Sequence, residues 1–196
     1  MFLLAYPLTE SIEIDRETYP LNLAFDNVLR LFDLLGDDEL DDVTQVDTAL
    51  VMLLGVELDM NIEKKSRVLN EVFKQAIGLG EHVEENLDIA GNPMPKESIN
   101  EERYYCLKQD AEYIYASFMA DYRMDLKDQM GKLHWKKFQA LLSGLNSNTI
   151  FQRIIEIRSA DLPTGKGSGE ERKRLIELKK RYALKGQEIE DDEKEE

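Results

Sequence analysis

Between Glu102 and Pro163 the chain reads ERYYCLKQDAEYIYASFMADYRMDLKDQMGKLHWKKFQALLSGLNSNTIFQRIIEIRSADLP, three apolar segments at helical spacing with a short breaker between each. A chain carrying such a run must bury three helical stripes, and that excludes most all-β architectures. The first segment aligns Tyr104, Leu107, Ala111, Ile114, Tyr115, Phe118 and Tyr122 on one side of a helix. Its other side carries Tyr113, Ala116 and Ala120 beside Ser117, a smooth face that lets a second element approach, so this helix is expected to be the hub. The second, Leu133 to Leu145, gathers Trp135, Phe138, Leu141, Leu142 and Leu145 on one face before Gly144 and Asn146-Ser147-Asn148 stop it. Asn148 or Ser147 is the expected cap of the third segment, whose buried stripe is Ile150, Phe151, Ile154, Ile155 and Ile157. Asp161-Leu162-Pro163 ends that helix, because the residue before a proline is pushed out of the α region. Helices joined by such short loops are expected to pack as neighbours.

The motifs DAEYIYASFMADYRMDL, GKLHWKKFQALLSGL and IRSADLP resemble the signature of a phage tail assembly protein family, densely over about residues 100 to 163 and more loosely elsewhere. Genes of that family lie just ahead of the tape measure gene in long-tailed phages of Gram-positive bacteria, and its members are taken to be tail assembly chaperones. The resemblance implies a non-enzymatic protein of the host cytoplasm, absent from the mature virion. Its partners would be the tape measure protein, which it keeps soluble, and the tail tube protein, which it recruits. A structural tail component retained in the virion and an acidic DNA mimic that inhibits a host enzyme are the alternatives.

A chain of 196 residues has the length to bury about 70% of its unfolded surface, and its 42% apolar and 33% charged residues suit a globular protein. The longest apolar run, Ala49 to Val56, is far short of the ~20 residues that span a bilayer, and MFLLAYPLTESIEI lacks the basic start of a signal peptide. A single cysteine, Cys106, excludes an internal disulfide framework and fits a reducing cytoplasm. The net charge of −15 repels phosphate backbones and anionic lipid, so neither nucleic acid nor membrane is an expected partner. Self-association is left open.

The fold expected is mainly α, a helical bundle with a small N-terminal β-hairpin and a C-terminal basic helix. Residues 1–80 read as the hairpin plus three helices. Ser11 to Ile14 and Thr18 to Leu23 alternate in polarity about an Asp15-Arg16-Glu17 turn. Phe25, Val28, Leu29, Phe32 and Leu35 form a helical stripe ending at Gly36. After an acidic loop, Asp37 to Asp42, Thr44 to Asp47 has the spacing of a capping box ahead of Ala49 to Leu54, with Gly55 as the stop. Asn61 caps a further helix with Ile62, Leu69, Val72, Phe73, Ala76 and Ile77 inside, before Gly78 and Gly80. Residues 81–100, with Gly91-Asn92-Pro93 and Pro95, read as a linker to the three-helix core at 101–163. Residues 164–196 read as a flexible spacer, a basic helix from Glu170 to Leu184 and a disordered acidic tail.

No recognisable catalytic or cofactor motif emerges. TGKGSG fails the phosphate-loop pattern at Ala160 and Gly167, and reads as a linker. His82 and His134 have no companion at zinc-ligand spacing; His82 reads as solvated and His134 as a core histidine bonded to a carbonyl. Asp37 to Asp42 lacks the glycine and terminal glutamate of a calcium loop, and neither Ser117, Ser143 nor Cys106 has a local base. The informative residues are structural or partner-binding candidates. Arg158 shares the face of Phe151 and Ile154, where an unpaired charge is costly, so it is expected to bridge to Asp110 or Asp121, the alternative being a partner-facing arginine. Tyr113, Ala116 and Ala120 form either an internal helix contact or a docking face, and Trp135 belongs to the buried stripe of its helix. Arg172, Lys173, Arg174, Lys179, Lys180 and Arg181 make the last helix either a tethered, mobile arm that folds back on the body or is captured by a partner, or a solvated helix.

Overall fold

The computed structural model describes residues 4–78, 104–164 and 168–187. Among these residues the chain is mainly helical with one small hairpin: β1 (Ser11–Ile14), β2 (Glu17–Pro20), α1 (Phe25–Leu35), α2 (Asp42–Leu54), α3 (Ile62–Val72) running into a π-helical turn (Phe73–Ile77), α4 (Ala111–Tyr122), α5 (Trp135–Ser143), α6 (Ile150–Ser159) and α7 (Gly169–Tyr182). No helix of the described residues is long and apolar enough to cross a membrane. The chain divides into two compact units, Met1–Ser98 with Lys127–Leu141, and Ile99–Leu126 with Leu142–Glu196. The division falls inside α5. The expected linker at 81–100, His82, the spacer residues 165–167 and the acidic tail from 188 lie outside the described residues.

In the first unit, β1 and β2 pair antiparallel from Ser11↔Pro20 to Ile14↔Glu17, with Ile12 and Ile14 buried. The turn is the pair Asp15-Arg16 rather than three residues, since both carry positive φ (49° and 71°), as a two-residue hairpin loop requires, and Glu17 already belongs to β2. α2 packs against both α1 and α3. The N-cap of α2 is Asp41, whose carboxylate accepts from the Thr44 N–H (3.0 Å) and the Thr44 hydroxyl (2.7 Å), so the expected capping box starts three residues too late. These bonds hold the Asp41 carboxyl below its ordinary pKa range. Gly55 and Asn61 act as expected, Gly55 in the left-handed conformation (φ 73°) and Asn61 accepting from the Lys64 N–H. Ile62, expected inside, is exposed, while Leu31, which the stripe of α1 omitted, is fully buried.

Residues 127–141 group with the N-terminal half, which corrects the expectation that the three helical segments after residue 101 pack as one bundle. The cause is a short antiparallel seam. The Phe25 N–H donates to the Leu133 carbonyl (2.9 Å) and the Trp135 N–H to the Leu23 carbonyl (2.7 Å), while Asp26 accepts from the Gly131 N–H (2.8 Å). The seam brings an aromatic cluster together. Phe138 stacks on Phe25 (5.0 Å) and on Trp135 (5.6 Å), and Phe32 meets Trp135 edge-on (5.5 Å). The Trp135 indole N–H donates to the Ile77 carbonyl (3.1 Å), satisfying an acceptor at the end of the π-helical turn. Buried Asn27 performs the same service for α2, donating to the carbonyls of Asn22 and Met52 (2.9 Å each).

His134 sits in this seam, half-buried. Its Nδ1 accepts from the Lys136 N–H (3.1 Å), which leaves Nε2–H to donate to the Thr9 carbonyl (3.3 Å). The carbonyl bond expected from sequence is therefore present. Burial lowers its pKa, and a proton added at Nδ1 would remove the acceptor used by Lys136.

In the second unit α6 packs against both α4 and α7. The hub there is α6 rather than α4, whose small residues Ala116 and Ala120 are exposed. Buried Ser117 donates to the Tyr113 carbonyl (2.7 Å) and accepts from the Phe151 N–H (3.1 Å), tying α4 to the first turn of α6. Thr149 caps α6, accepting from the Gln152 N–H, because Asn146 forms a local turn that accepts from the Asn148 N–H and pushes the helix start past Ser147 and Asn148. Ile150 is exposed as a result, while Phe151 and Ile154 are buried.

Two outcomes follow from the aromatic seam. Phe138→Ala removes both stacks and is expected to lower stability by about 3–5 kcal/mol, measured by urea unfolding. Because the folded-state pKa of His134 lies below its unfolded value, its contribution is present above about pH 6.5 and is lost as pH falls through the folded pKa. His134→Asn keeps an acceptor for Lys136 without titrating, so its urea midpoint should fall less than that of the wild type between about pH 7.5 and about pH 5.5.

Candidate functional site

The most polar buried constellation lies at the C-terminal end of α6, within the second unit. Arg158 and Asp110 are both buried, with side chains 4% and 1% exposed. The guanidinium is bidentate on the carboxylate, Nη1 to Oδ2 at 2.7 Å and Nη2 to Oδ1 at 2.8 Å. Nη1 also donates to the Tyr104 carbonyl (2.9 Å) and Nε to the Tyr182 carbonyl (2.6 Å). One planar fork thus joins α6 to the start of α4, to the segment before it and to the end of α7. A lysine, with one point charge, could not make this set of contacts.

Local sequence explains how the pair forms. Arg158 lies in the last turn of α6, where a cation complements the helix dipole, and Asp110 precedes Ala111 at the N-terminus of α4, where an anion does. Asp110 does not cap α4 with its side chain. Its carboxylate goes instead to Arg158 and to the Cys106 N–H (2.9 Å). The helix starts at Ala111 rather than at Tyr104, where the apolar spacing placed it, and the Tyr104 carbonyl accepts from Arg158. Of the two acids expected to meet Arg158, Asp110 does so. Asp121 accepts from the Asn146 N–H (2.8 Å).

The basic helix is docked on α6, the folded-back alternative of the tethered arm rather than a mobile one. It has no buried residue, and Leu175, Ile176 and Leu178 are half-buried. Its C-terminal end is held by polar contacts. The Lys179 ammonium donates to the Arg158 carbonyl (3.1 Å), Lys185 N–H to Gln109 (2.9 Å), and the Tyr182 ring meets Tyr113 edge-on at 6.1 Å. Tyr113 is therefore an internal contact, while its supposed companions Ala116 and Ala120 lie exposed. Arg172 is half-buried, and Arg174 and Lys180 are exposed. Trp135 belongs to the other unit, buried in the aromatic seam.

The structure thus brings Asp110, Arg158, Tyr113 and Lys179 together, while Ala116, Ala120, Arg174 and Lys180 are exposed. Sequence reasoning missed Ser117 and Asn27 as structural residues. The available signal was a small polar residue within an apolar helical face, beside Phe118 and Val28 respectively. Among the described residues there is no group of three potential metal ligands. The buried polar residues Asn27, Asp110, Ser117, Thr149 and Arg158 all have hydrogen-bond partners within their own unit.

Removing either charge strands the other. Arg158→Ala and Asp110→Ala are each expected to cost about 3–5 kcal/mol in urea unfolding, and the double variant less than their sum, because no lone buried charge remains.

A family model described as Bacteriophage Gp15 protein matches residues 4–184. Comparison with curated proteins and with solved structures finds no match.

Proposed function

The chain belongs to the bacteriophage Gp15 protein family, and on that premise we propose that it is a tail assembly chaperone: it binds the tape measure protein in the host cytoplasm, keeps it soluble and recruits the tail tube protein. The observation that carries this reading is the extent of the family match, residues 4–184, together with the motifs at 110–163 that resemble tail assembly chaperones. The role is non-catalytic, and the protein leaves before the virion is complete.

The physical chemistry supports such a role. A tape measure protein is long, helical and apolar, and until a tube encloses it its apolar faces need cover. A bound partner of charge −15 adds repulsion between complexes and so opposes aggregation. The buried polar residues named above are committed to holding each unit in shape, as a binding scaffold requires. In the acidic loop, Asp37 accepts from the Glu39 N–H and Asp41 caps α2, so these carboxylates serve the local backbone, which weighs against an ordered phosphate-like array and a DNA mimic.

Co-expression with the candidate tape measure protein is the test. The tape measure protein is expected in the soluble fraction only when it co-elutes with this chain. Unchanged solubility, with this chain present in purified virions, would overturn the reading in favour of a structural tail component.

A further inference from the structure

The first unit carries a cleft of about 360 Å³ between α2 and α3, lined by Asp47, Thr48, Leu50, Val51, Glu57, Leu58 and Lys65. Leu50 and Leu58 are buried and form an apolar floor, while Val51 is 38% exposed. Val43, 50% exposed, continues the same ridge of α2, since Val43, Asp47 and Val51 follow one another at four-residue steps. Val56 and Ile62, also exposed, belong to the connection after α2 and to the first residue of α3. Four of the ten large apolar side chains exposed among the described residues thus belong to this one stretch of chain.

The charge on the α2 side of the cleft has one sign, whereas α3 carries Lys64, Lys65 and Arg67. From Asp41 to Met60 the chain has five acids, Asp41, Asp42, Asp47, Glu57 and Asp59, and no lysine or arginine. The neighbouring Lys65 is spent on Asp47 (2.9 Å) and Lys64 lies 4.0 Å from Asp15. Asp47 Oδ1, shielded from solvent, has the Lys65 ammonium as its partner. The cleft therefore presents an apolar floor and ridge with an acidic rim on its α2 side.

We propose that the α2–α3 cleft is a docking site for an amphipathic helix whose apolar stripe is flanked by lysine or arginine. The ridge from Val43 to Val51 spans about 12 Å, two turns of helix, which matches apolar anchors at i, i+4 and i+7 of a partner lying along it. The flanking cations face the acidic rim. This inference rests on the chemistry of the cleft and stands whether or not the partner is a tape measure protein.

The probe is a fluorescein-labelled helical peptide with leucines at i, i+4 and i+7 flanked by lysines, titrated into the full chain alongside the same peptide with glutamates for lysines. The lysine peptide is expected to bind at least about tenfold more tightly than the glutamate peptide, with Val51→Asp and Glu57→Lys each weakening it about tenfold. Val51→Asp adds negative charge, so non-specific attraction to an acidic protein would strengthen binding, whereas loss of the ridge weakens it. Glu112→Lys on α4 makes the same charge change as Glu57→Lys away from the cleft and should leave binding unchanged. Glu57→Lys alters an exposed rim residue and so remains informative even if circular dichroism shows Val51→Asp to be unfolded. Equal binding by wild type and folded Val51→Asp, or equal weakening by Glu57→Lys and Glu112→Lys, overturns the proposal. So does a dimer in sedimentation that Val51→Asp dissociates while the peptide fails to bind, since the occupant is then a second copy of the chain.

Discussion

A guanidinium removed from water has to place its donors, and in the second unit that requirement organises the ends of three helices. Arg158 reaches Asp110, Tyr104 and Tyr182 at once, so it ties the start of α4 and the end of α7 to α6, and the carboxylate that would otherwise cap α4 is held by the guanidinium fork. Desolvating the two charges is costly, so the pair contributes less to net stability than its short distances suggest. What it supplies is discrimination among alternative packings. An apolar stripe tolerates a small rotation of the helix, whereas a bidentate pair with two carbonyls added does not.

The first unit solves the same problem with a neutral donor. The seam at residues 23–25 and 133–135 joins segments more than a hundred residues apart in sequence, and the aromatic rings it gathers bury a single indole N–H aimed at the Ile77 carbonyl. In each unit an extended apolar contact is given its direction by one long side chain that satisfies the backbone of a distant segment. The apolar area provides most of the driving force, and the polar anchor selects the arrangement.

Most of this architecture was legible as helical stripes, because burial of Phe118, Phe138, Phe151 and Ile154 imposes a 3.6-residue period that local chemistry does not obscure. The boundaries were less so. Asp41 and Thr44 both belong to the residue types that cap helices, and Asn148, Ser147 and Thr149 likewise; which one caps is decided by neighbouring turns, such as the one Asn146 makes. The seam was illegible, since Leu23, Ala24 and Leu133 carry no pattern that marks them as strand partners across such a distance. The Arg158–Asp110 pair was half legible. A charge on a buried face demands a partner, but the choice between Asp110 and Asp121 depends on how α4 and α6 cross.

That distinction bears on where function resides. The residues that make the 102–163 stretch unusual, Asp110, Ser117, Trp135, Phe138 and Arg158, are all buried within their own units. A motif built from buried residues identifies a scaffold, and its resemblance to a family reports a shared fold before it reports a shared contact. A protein that binds other chains must offer its partner groups that folding has not consumed. The α2–α3 cleft has such groups, and its residues are common ones, valine, leucine and aspartate, at ordinary helical spacing. Sequence pattern is weakest at such a surface, because an exposed valine on an amphipathic helix looks the same whether it faces solvent or a partner. Only the arrangement, an apolar ridge and floor beside the acids of the α2 side, separates the two, and that arrangement exists once α2 and α3 have packed.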